Sequence, residues 1–206
     1  MHPKVAVVDY GLCNVDSVGR ALAHCGASPF LARDAADIKA ADQVVLPGVG
    51  AFDAAMARLT ELDLVGVLTD TVLGEGVPFL GICLGMQLLA ATSDEGRPRP
   101  GLGWLDAHVA RIDPAPGERV PHVGWNEVDT TGPSPLFADV PPSTDFYFVH
   151  SFHVRCRDEA DILATVPFSV GLTAAVARHP IYGVQFHPEK SQRHGLTLLR
   201  NFVGLR

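Results

Sequence analysis

The chain has 206 residues, of which 47% are hydrophobic and 19% charged, and its formal net charge is −7. This length suits one α/β domain with a sizeable core, and we expect a single domain over residues 1–206. The balance of hydrophobic and charged residues excludes a disordered chain, and the negative charge argues against a nucleic-acid partner.

Predicted strands and helices alternate along the first half of the sequence. Apolar runs predict buried strands, and apolar spacings of three and four residues predict helices. Strands are expected at residues 4–9, 28–31 and 43–46, and helices at residues 14–25, 35–40 and 51–73, the last broken near residues 62–63. This alternation is typical of a mostly parallel, doubly wound sheet flanked by helices, whose loops gather at the carboxyl edge of the strands.

The second half is rich in predicted strands and begins after a loop with several Gly and Pro residues, at residues 95–103. Many apolar residues there alternate with polar ones, which predicts strands. Strands are expected at residues 107–112, 120–128, 145–154, 162–166 and 173–177, and an amphipathic helix at residues 193–203. We expect these strands to extend the sheet or to form a small β layer beside it.

The sequence lacks recognisable targeting and metal-binding patterns. Its N-terminus leads into the first strand without the apolar segment and cleavage site of a signal peptide, and no apolar run is long enough to span a bilayer. The cysteines form no Cys-x-x-Cys pair and the nine histidines show no metal-ligand spacing. We therefore expect a cytoplasmic protein with free thiols, no membrane contact, and neither a metal ion nor another cofactor.

Cys83 lies where a predicted strand meets a predicted helix, within residues 77–91. Gly81 and Gly85 flank it at two positions on either side, where side chains would collide across a sharp strand-to-helix turn. A thiol at such a turn lies beside the free N–H groups and the positive dipole end of the new helix, which favour a reactive thiolate. A small buried cysteine in a packed corner is the alternative interpretation.

A histidine and a carboxylate follow another apolar strand about a hundred residues later. The sequence there is Gln185-Phe186-His187-Pro188-Glu189. Pro188 stiffens the segment and helps to hold Glu189 near the imidazole. Together with Cys83 these residues form a candidate Cys-His-Glu relay, in which His187 moves protons and Glu189 selects its tautomer.

These motifs together resemble the class I (triad) glutamine amidotransferases. The sequence is most similar to the branch that supplies the glutaminase subunit of a synthase in histidine biosynthesis. The resemblance covers nearly the whole chain, and it rests on residues 9–11, 46–52, 81–87, 121–126, 147–151 and 185–189. It implies a flavodoxin-like α/β fold and hydrolysis of L-glutamine to glutamate and ammonia, with Cys83 as the nucleophile and His187 and Glu189 completing the triad.

The resemblance also implies roles for residues around the nucleophile. Backbone N–H groups of Val49 and Leu84 would form the oxyanion hole, although the loop at residues 47–50 also reads as a simple turn. Substrate contacts are expected from Gly48, Gly50, Gln87, Ser151 and Phe152. Gln87 has the alternative role of satisfying a buried backbone group. Aromatic and histidine side chains at residues 122–126 and 147–152 have the alternative role of core packing.

A second subunit is expected, because ammonia in water is mostly protonated and the chain contains no second catalytic domain. The resemblance implies a heterodimer with a cyclase subunit of TIM-barrel fold, and Trp125, Asn126 and Lys190 match positions that face it. Two alternatives stay open. One is a paralogous glutaminase subunit of another amination pathway, such as surface-sugar biosynthesis, and the other is a catalytically silent interaction subunit.

Glutaminase components of other synthases, for anthranilate, carbamoyl phosphate, GMP or pyridoxal phosphate, are disfavoured by the motif set. Two positions depart from the pattern of the family. Cys13 stands where glycine is common, and residues 166–170 replace an Asp-Tyr-Gly type of turn. Both departures concern loop shape and partner recognition, and neither touches the proposed triad.

Overall fold

Strands and helices alternate in the first half of the chain, as predicted. The structure, a computed structural model, describes residues 2–205. In chain order the elements are β1 Lys4–Val8, α1 Val15–His24, β2 Ser28–Ala32, α2 Ala35–Lys39, β3 Gln43–Gly48, α3 Phe52–Glu61, α4 Leu64–Thr69, β4 Phe79–Cys83 and α5 Leu84–Gln87. The predicted break between two helices is confirmed at Asp63, whose φ of 55° is left-handed.

The second half contains most of the strands. In chain order these elements are β5 Ala90–Ser93, β6 Leu105–Arg111, β7 His122–Thr130, β8 Thr144–His150, β9 Phe152–Cys156, β10 Ile162–Val166, β11 Leu172–Arg178, β12 Ile181–Val184 and α6 Gln192–Val203. Across residues 2–205, none of the helices has the length and apolar character needed to cross a membrane.

Two sheets organise the described residues. The larger has nine strands in the order β2-β1-β3-β4-β12-β11-β10-β7-β8, and the smaller has three in the order β5-β6-β9. Strands β2, β1, β3, β4 and β12 pair in parallel, whereas β11, β10, β7 and β8 continue the sheet with antiparallel pairing. The predicted α/β class is thus confirmed, with the antiparallel strands extending the sheet and the small sheet lying beside it.

The parallel strands are buried on both faces, which explains their continuous apolar sequences. Alternate residues of β1 point into two different core layers. Val5 and Val7 pack in the layer that contains Leu22 and Phe202 of α1 and α6, and Ala6 and Val8 pack in the layer of α2, α3 and α4. Burying the sheet in this way leaves its carboxyl edge as the place where loops meet.

The helix predicted after Cys83, in the second half of residues 77–91, ends already at Gln87. Residues 88–90 are buried on every side, so they lack the exposed face of an amphipathic helix. Their carbonyl groups are also occupied by another segment, because the N–H groups of Leu102 and Leu105 donate to Leu88 and Leu89. The chain therefore leaves the helix after one turn and continues as strand β5.

The single strand predicted at residues 145–154 is in fact two strands in different sheets. Strand β8 ends at His150 in the large sheet, and β9 starts at Phe152 in the small sheet. Ser151 lies between them, and its carbonyl accepts from the N–H of Ile112 at 2.9 Å. The crossing between the sheets brings Ser151 and Phe152 to the carboxyl edge of the parallel strands.

Candidate active site

Cys83 is the last residue of β4 and directly precedes α5. Its φ of 55° and ψ of −108° are unusual for a residue with a side chain. Such strain persists only where the surrounding structure enforces it, and it clusters at functional sites. Strand β4 lies between β3 and β12 in the parallel part of the sheet, so Cys83 stands at the middle of the carboxyl edge, where open α/β sheets bind ligands.

The two glycines around Cys83 are required by close packing, as predicted. A Cβ atom on Gly81 would lie 2.5 Å from the carbonyl oxygen of Gly85. A Cβ atom on Gly85 would overlap the carbonyl oxygen of Leu46 on the neighbouring strand. The sharp turn therefore depends on both positions having no side chain.

His187 follows the strand next to β4. That strand, β12, pairs with β4 in parallel and ends three residues before His187. Its Nδ1 lies 2.8 Å from Oε1 of Glu189, and both side chains are almost fully buried. The segment is fastened to β8, because the N–H of His187 donates to the carbonyl of Tyr147 at 2.9 Å. Ser191 adds a second link, donating from its hydroxyl to the His187 carbonyl and accepting from the Tyr147 N–H.

The electrostatic surroundings favour a protonated His187. Burial lowers the pKa of His187, but the Cys83 sulfur and the Glu189 carboxylate outweigh that effect and raise the pKa to about 9. Because Nδ1 donates to a carboxylate, Nε2 is the nitrogen on which the Cys83 sulfur acts, and it has no oxygen or nitrogen partner within the described residues.

A cavity of about 230 Å³ opens in front of Cys83. Its wall contains predicted residues from four separate segments, namely Val49, Gly50, Cys83, Leu84, Gln87, Ser151, Phe152, His187 and Lys190. Gly48 and Glu189 lie behind this wall, beside a smaller adjoining space. His150, which the resemblance placed at the mouth of the site, also borders the cavity, as do Glu95 and Val149, for which the sequence suggested no role.

The two predicted oxyanion donors differ in availability. Leu84 begins α5, so its N–H has no acceptor within that helix and lies next to Cys83. The N–H of Val49 instead donates to the carbonyl of Leu12 at 2.9 Å. Val49 reaches the cavity wall, but in this conformation its N–H is occupied, which differs from the expectation of a free donor.

Gln87 and Gln185 form a pair of buried amides beneath the cavity. Nε2 of Gln87 donates to the Phe152 carbonyl at 2.9 Å and to Oε1 of Gln185 at 3.0 Å. Gln87 thus satisfies a buried backbone group and also borders the cavity. Nε2 of Gln185 lies 3.6 Å from Cys83 Sγ. The sequence did not indicate this contact, although Gln185 precedes His187 by two residues and shares its side of an extended segment.

The predicted partner-facing residues are divided between two surfaces. Trp125 is 47% exposed and lies edge-on to Tyr147, and Lys190 Nζ lies 5.9 Å above the Tyr147 ring. Asn126 points to the other side of β7, where its amide contacts Nε2 of His122 at 3.3 Å. Trp125 and Lys190 therefore share one outer face, and Asn126 does not belong to it because successive strand residues alternate.

The comparison with known proteins identifies the family. The model of the glutamine amidotransferase class-I family matches residues 6–204. The chain is 50% identical to imidazole glycerol phosphate synthase subunit HisH of Thermosynechococcus vestitus, covering 98% of this chain and 97% of that protein. It is 46% identical to the protein of the same name from Moorella thermoacetica, with coverage of 98% and 94%.

A solved structure supports the fold independently. The structure of PurLQS from Thermotoga maritima superposes with a TM-score of 0.76 at 16% identity, covering 99% of both chains. At that identity the similarity concerns the fold alone. The family match over nearly the whole sequence decides the assignment: the chain belongs to the class-I glutamine amidotransferases.

Proposed function

We propose that this chain is the glutaminase subunit of imidazole glycerol phosphate synthase and acts in histidine biosynthesis. It hydrolyses L-glutamine and passes the ammonia to a cyclase subunit. The observation that carries the proposal is the position of Cys83 and His187 on one cavity wall, with His187 held by Glu189. The relatives that carry this name match the chain over nearly its full length.

The first half-reaction forms a thioester. The Cys83 thiolate attacks the side-chain amide carbon of glutamine, and the carbonyl electrons move to oxygen. The backbone N–H of Leu84 donates to that oxyanion. Nε2 of the His187 imidazolium then gives its proton to the amide nitrogen, the carbon–nitrogen bond breaks, and ammonia leaves.

The second half-reaction restores the enzyme. Water adds to the thioester carbon and gives a proton to Nε2 of His187, which is neutral at this stage. The tetrahedral intermediate collapses, the carbon–sulfur bond breaks, and glutamate leaves Cys83 as a thiolate. Glu189 stabilises the imidazolium in both steps through Nδ1.

The cavity wall offers groups for the amino-acid end of the substrate. Glu95 brings a carboxylate to the cavity, and its Oε2 accepts from the Phe52 N–H at 2.9 Å, which leaves Oε1 for a ligand. A carboxylate suits the α-ammonium group of glutamine. We assign Gly50, Gln87, Ser151 and Phe152 to further substrate contacts.

The occupied N–H of Val49 predicts weak glutaminase activity in the isolated chain. While it donates to Leu12, only Leu84 of the two proposed donors serves the oxyanion. Losing one such donor typically costs roughly 10²–10³ in rate. We infer that the cyclase subunit activates the enzyme, and that the loop at residues 47–50 releases the Leu12 carbonyl when it does so.

A heterodimer with a TIM-barrel cyclase is the assembly that we propose. The outer face near the cavity is apolar and exposed at Val123, Trp125 and Val149, with Tyr147 and Lys190 beside them. Exposed aromatic and aliphatic side chains of this kind suit a protein interface. A partner docked there would cover the cavity mouth and shield ammonia from water.

Co-purification with the cyclase subunit, followed by a product assay, tests the proposal. We expect formation of imidazole glycerol phosphate and AICAR with glutamine as the nitrogen source. Cys83→Ala should abolish glutamine-dependent synthesis but leave synthesis from ammonium salts intact, because the partner site is unchanged. Glutaminase activity retained by Cys83→Ala in the assembled enzyme would refute the assigned nucleophile, and equal glutaminase rates with and without the partner would refute activation.

A further inference from the structure

Gln185 contacts the sulfur of Cys83 from inside the protein. Its side chain is completely buried, and its amide nitrogen lies 3.6 Å from Cys83 Sγ. The wall of the cavity is formed by other residues, so substrate in the cavity meets Cys83 on a different side. This contact is therefore made with the nucleophile and not with glutamine.

Hydrogen-bond chemistry fixes which end of the Gln185 amide faces the sulfur. The Phe152 carbonyl can only accept, so the Gln87 group at 2.9 Å from it is the NH₂ group. The same NH₂ group lies 3.0 Å from the Gln185 amide, which must therefore present its oxygen. The NH₂ group of Gln185 is left facing Cys83 Sγ.

A second buried glutamine shows what a purely structural amide does in this protein. Gln43 is 2% exposed, and its NH₂ group donates to the carbonyl oxygens of Phe202, Val203 and Leu205. Those acceptors are strong, whereas the sulfur of a neutral thiol is weak. The donor group of Gln185 is directed at a sulfur, and that hydrogen bond becomes strong only when the sulfur is ionised.

We propose that Gln185 is a further catalytic residue, which donates a hydrogen bond to the Cys83 thiolate in an orientation held by Gln87. The inference rests on the proposed function, in which Cys83 is the nucleophile. Because Gln185 contacts the sulfur and Gln87 but does not line the cavity, its loss lowers kcat and leaves KM for glutamine nearly unchanged.

Alkylation of Cys83 by iodoacetamide tests the inference in the full chain without any glutamine turnover. Met matches Gln in length but lacks the donor. We expect Gln185→Met to slow alkylation of Cys83 at pH 7 about tenfold and to move its pH profile about one unit to the alkaline side, as expected for a lost bond to a charged group. Peptide mass spectrometry isolates the signal of Cys83.

The other thiols give little background in this assay. Burial raises the pKa of Cys13 and of Cys25, and it raises the pKa of Cys156 to about 11. Gln43→Met is the matched control, because it removes a buried amide that has no contact with Cys83. We expect it to lower the thermal midpoint and to leave the alkylation profile of Cys83 at the parental value.

A folded Gln185→Met variant with the parental pH profile overturns the inference. Should that variant not fold, Gln87→Met replaces it, since it frees the Gln185 amide to turn away from the sulfur, and a parental profile there has the same meaning. Failure of the proposed function gives a different result. In that case Cys83 of the parent chain reacts no faster than an ordinary thiol, whichever residue stands at position 185.

Discussion

Two buried imidazoles border the same cavity and differ in their protonation. His187 is 4% exposed and His150 is 6% exposed. The pKa of His187 is raised to about 9, whereas burial lowers the pKa of His150 to about 3. Burial opposes the charged form at both sites. The difference arises because the Cys83 sulfur and the Glu189 carboxylate beside His187 favour a positive charge, whereas the groups beside His150 are imidazoles, His187 among them, which oppose one.

The hydrogen bonds explain why only one of the two suits proton transfer. Nδ1 of His150 donates to the Phe152 carbonyl at 2.8 Å, so its Nε2 accepts, and it receives the N–H of His122 Nδ1 at 3.0 Å. Both nitrogens of His150 are therefore engaged. His187 keeps Nε2 without an oxygen or nitrogen partner among the described residues, so it can exchange a proton beside the Cys83 sulfur. A buried histidine beside a cavity thus becomes a candidate base through a free nitrogen and a charged neighbour, not through burial.

The largest expected effect comes from exchanging each imidazole for an amide. We predict that His187→Asn lowers kcat/KM for glutamine about 10²–10⁴-fold in the assembled enzyme, the usual contribution of a general acid–base group. His150→Gln keeps a donor for Phe152 and an acceptor for His122, so we expect a loss within about tenfold. Steady-state kinetics of both variants checks the comparison. Equal losses in two folded variants would contradict the assignment of His187.

Removing the Glu189 carboxylate should bring the pKa of His187 closer to that of His150. In Glu189→Gln the imidazolium of His187 loses its negative neighbour, so its pKa should fall by at least about one unit. We expect glutaminase activity to fall about 10²-fold, because the imidazolium formed during the reaction is no longer stabilised.

NMR titration of the imidazole resonances measures this shift, with His187→Asn identifying the signal. The resonance of His150 serves as the internal control, because it has no contact with Glu189. A His187 pKa that stays near 9 in Glu189→Gln would show that the thiol alone raises it.

Acid should destabilise the folded protein through its neutral histidines, whereas His187 should not contribute to this loss of stability. Burial lowers the pKa of His122 to about 4, of His150 to about 3 and of His153 to about 4. Below pH 6.5 these three histidines bind more protons in the unfolded state than in the folded state. The stability of the folded state therefore falls as pH falls from 6.5 towards 4. His187 has a raised pKa and is protonated in both states in this window. Its stabilisation is instead lost as pH rises from 6.5 towards 9.

Urea unfolding at pH 6.5 and pH 5.5 measures the contribution of the histidine cluster, which consists of His122, His150 and His153. Each of the three histidines is expected to cost about 1 kcal/mol over that unit of pH. His150→Gln cannot titrate, so its pH dependence should be shallower than the parental one by roughly one third. An unchanged slope in this variant would mean that His150 takes up protons equally in the folded and unfolded states.

The catalytic residues were predictable from local sequence motifs, whereas the buried contacts between distant segments around them were not. The elbow at Cys83 needs two glycines within five residues, and the His187–Glu189 pair lies within three, so each motif carries its own constraint. The contact between His122 and His150 depends on the register of β7 and β8, which pairs those two residues. No local pattern specifies that register.

The two departures from the family pattern have different structural consequences. Cys13 donates its thiol to the Val8 carbonyl at 3.5 Å and stays within the first loop. The turn at residues 166–170 reaches further, because Phe168 stacks on His122 with ring centroids 4.1 Å apart. This turn helps to desolvate the histidine cluster, an effect that its sequence alone did not indicate. Contacts between loops that come together only after folding are not predicted by local sequence patterns.

The smallest expected effect separates the two faces of β7. Nε2 of His122 accepts from the Asn126 amide at 3.3 Å, because Nδ1 of His122 is the donor to His150. Asn126→Leu removes that donor, and we expect a loss of about 1 kcal/mol of unfolding free energy. Glutaminase activity should stay within about twofold, because His187 is not part of this chain of hydrogen bonds.

Trp125→Ala is the matched control on the outer face of the same strand. Its ring is half exposed and contacts Tyr147, so its removal should leave the urea midpoint nearly unchanged and weaken binding of the cyclase subunit, measured by titration calorimetry. If Asn126→Leu weakened cyclase binding as strongly as Trp125→Ala, the partner would reach both faces of β7. The neutral histidines would then lie within the interface, and the contrast between His187 and His150 would depend on the partner and not on this chain alone.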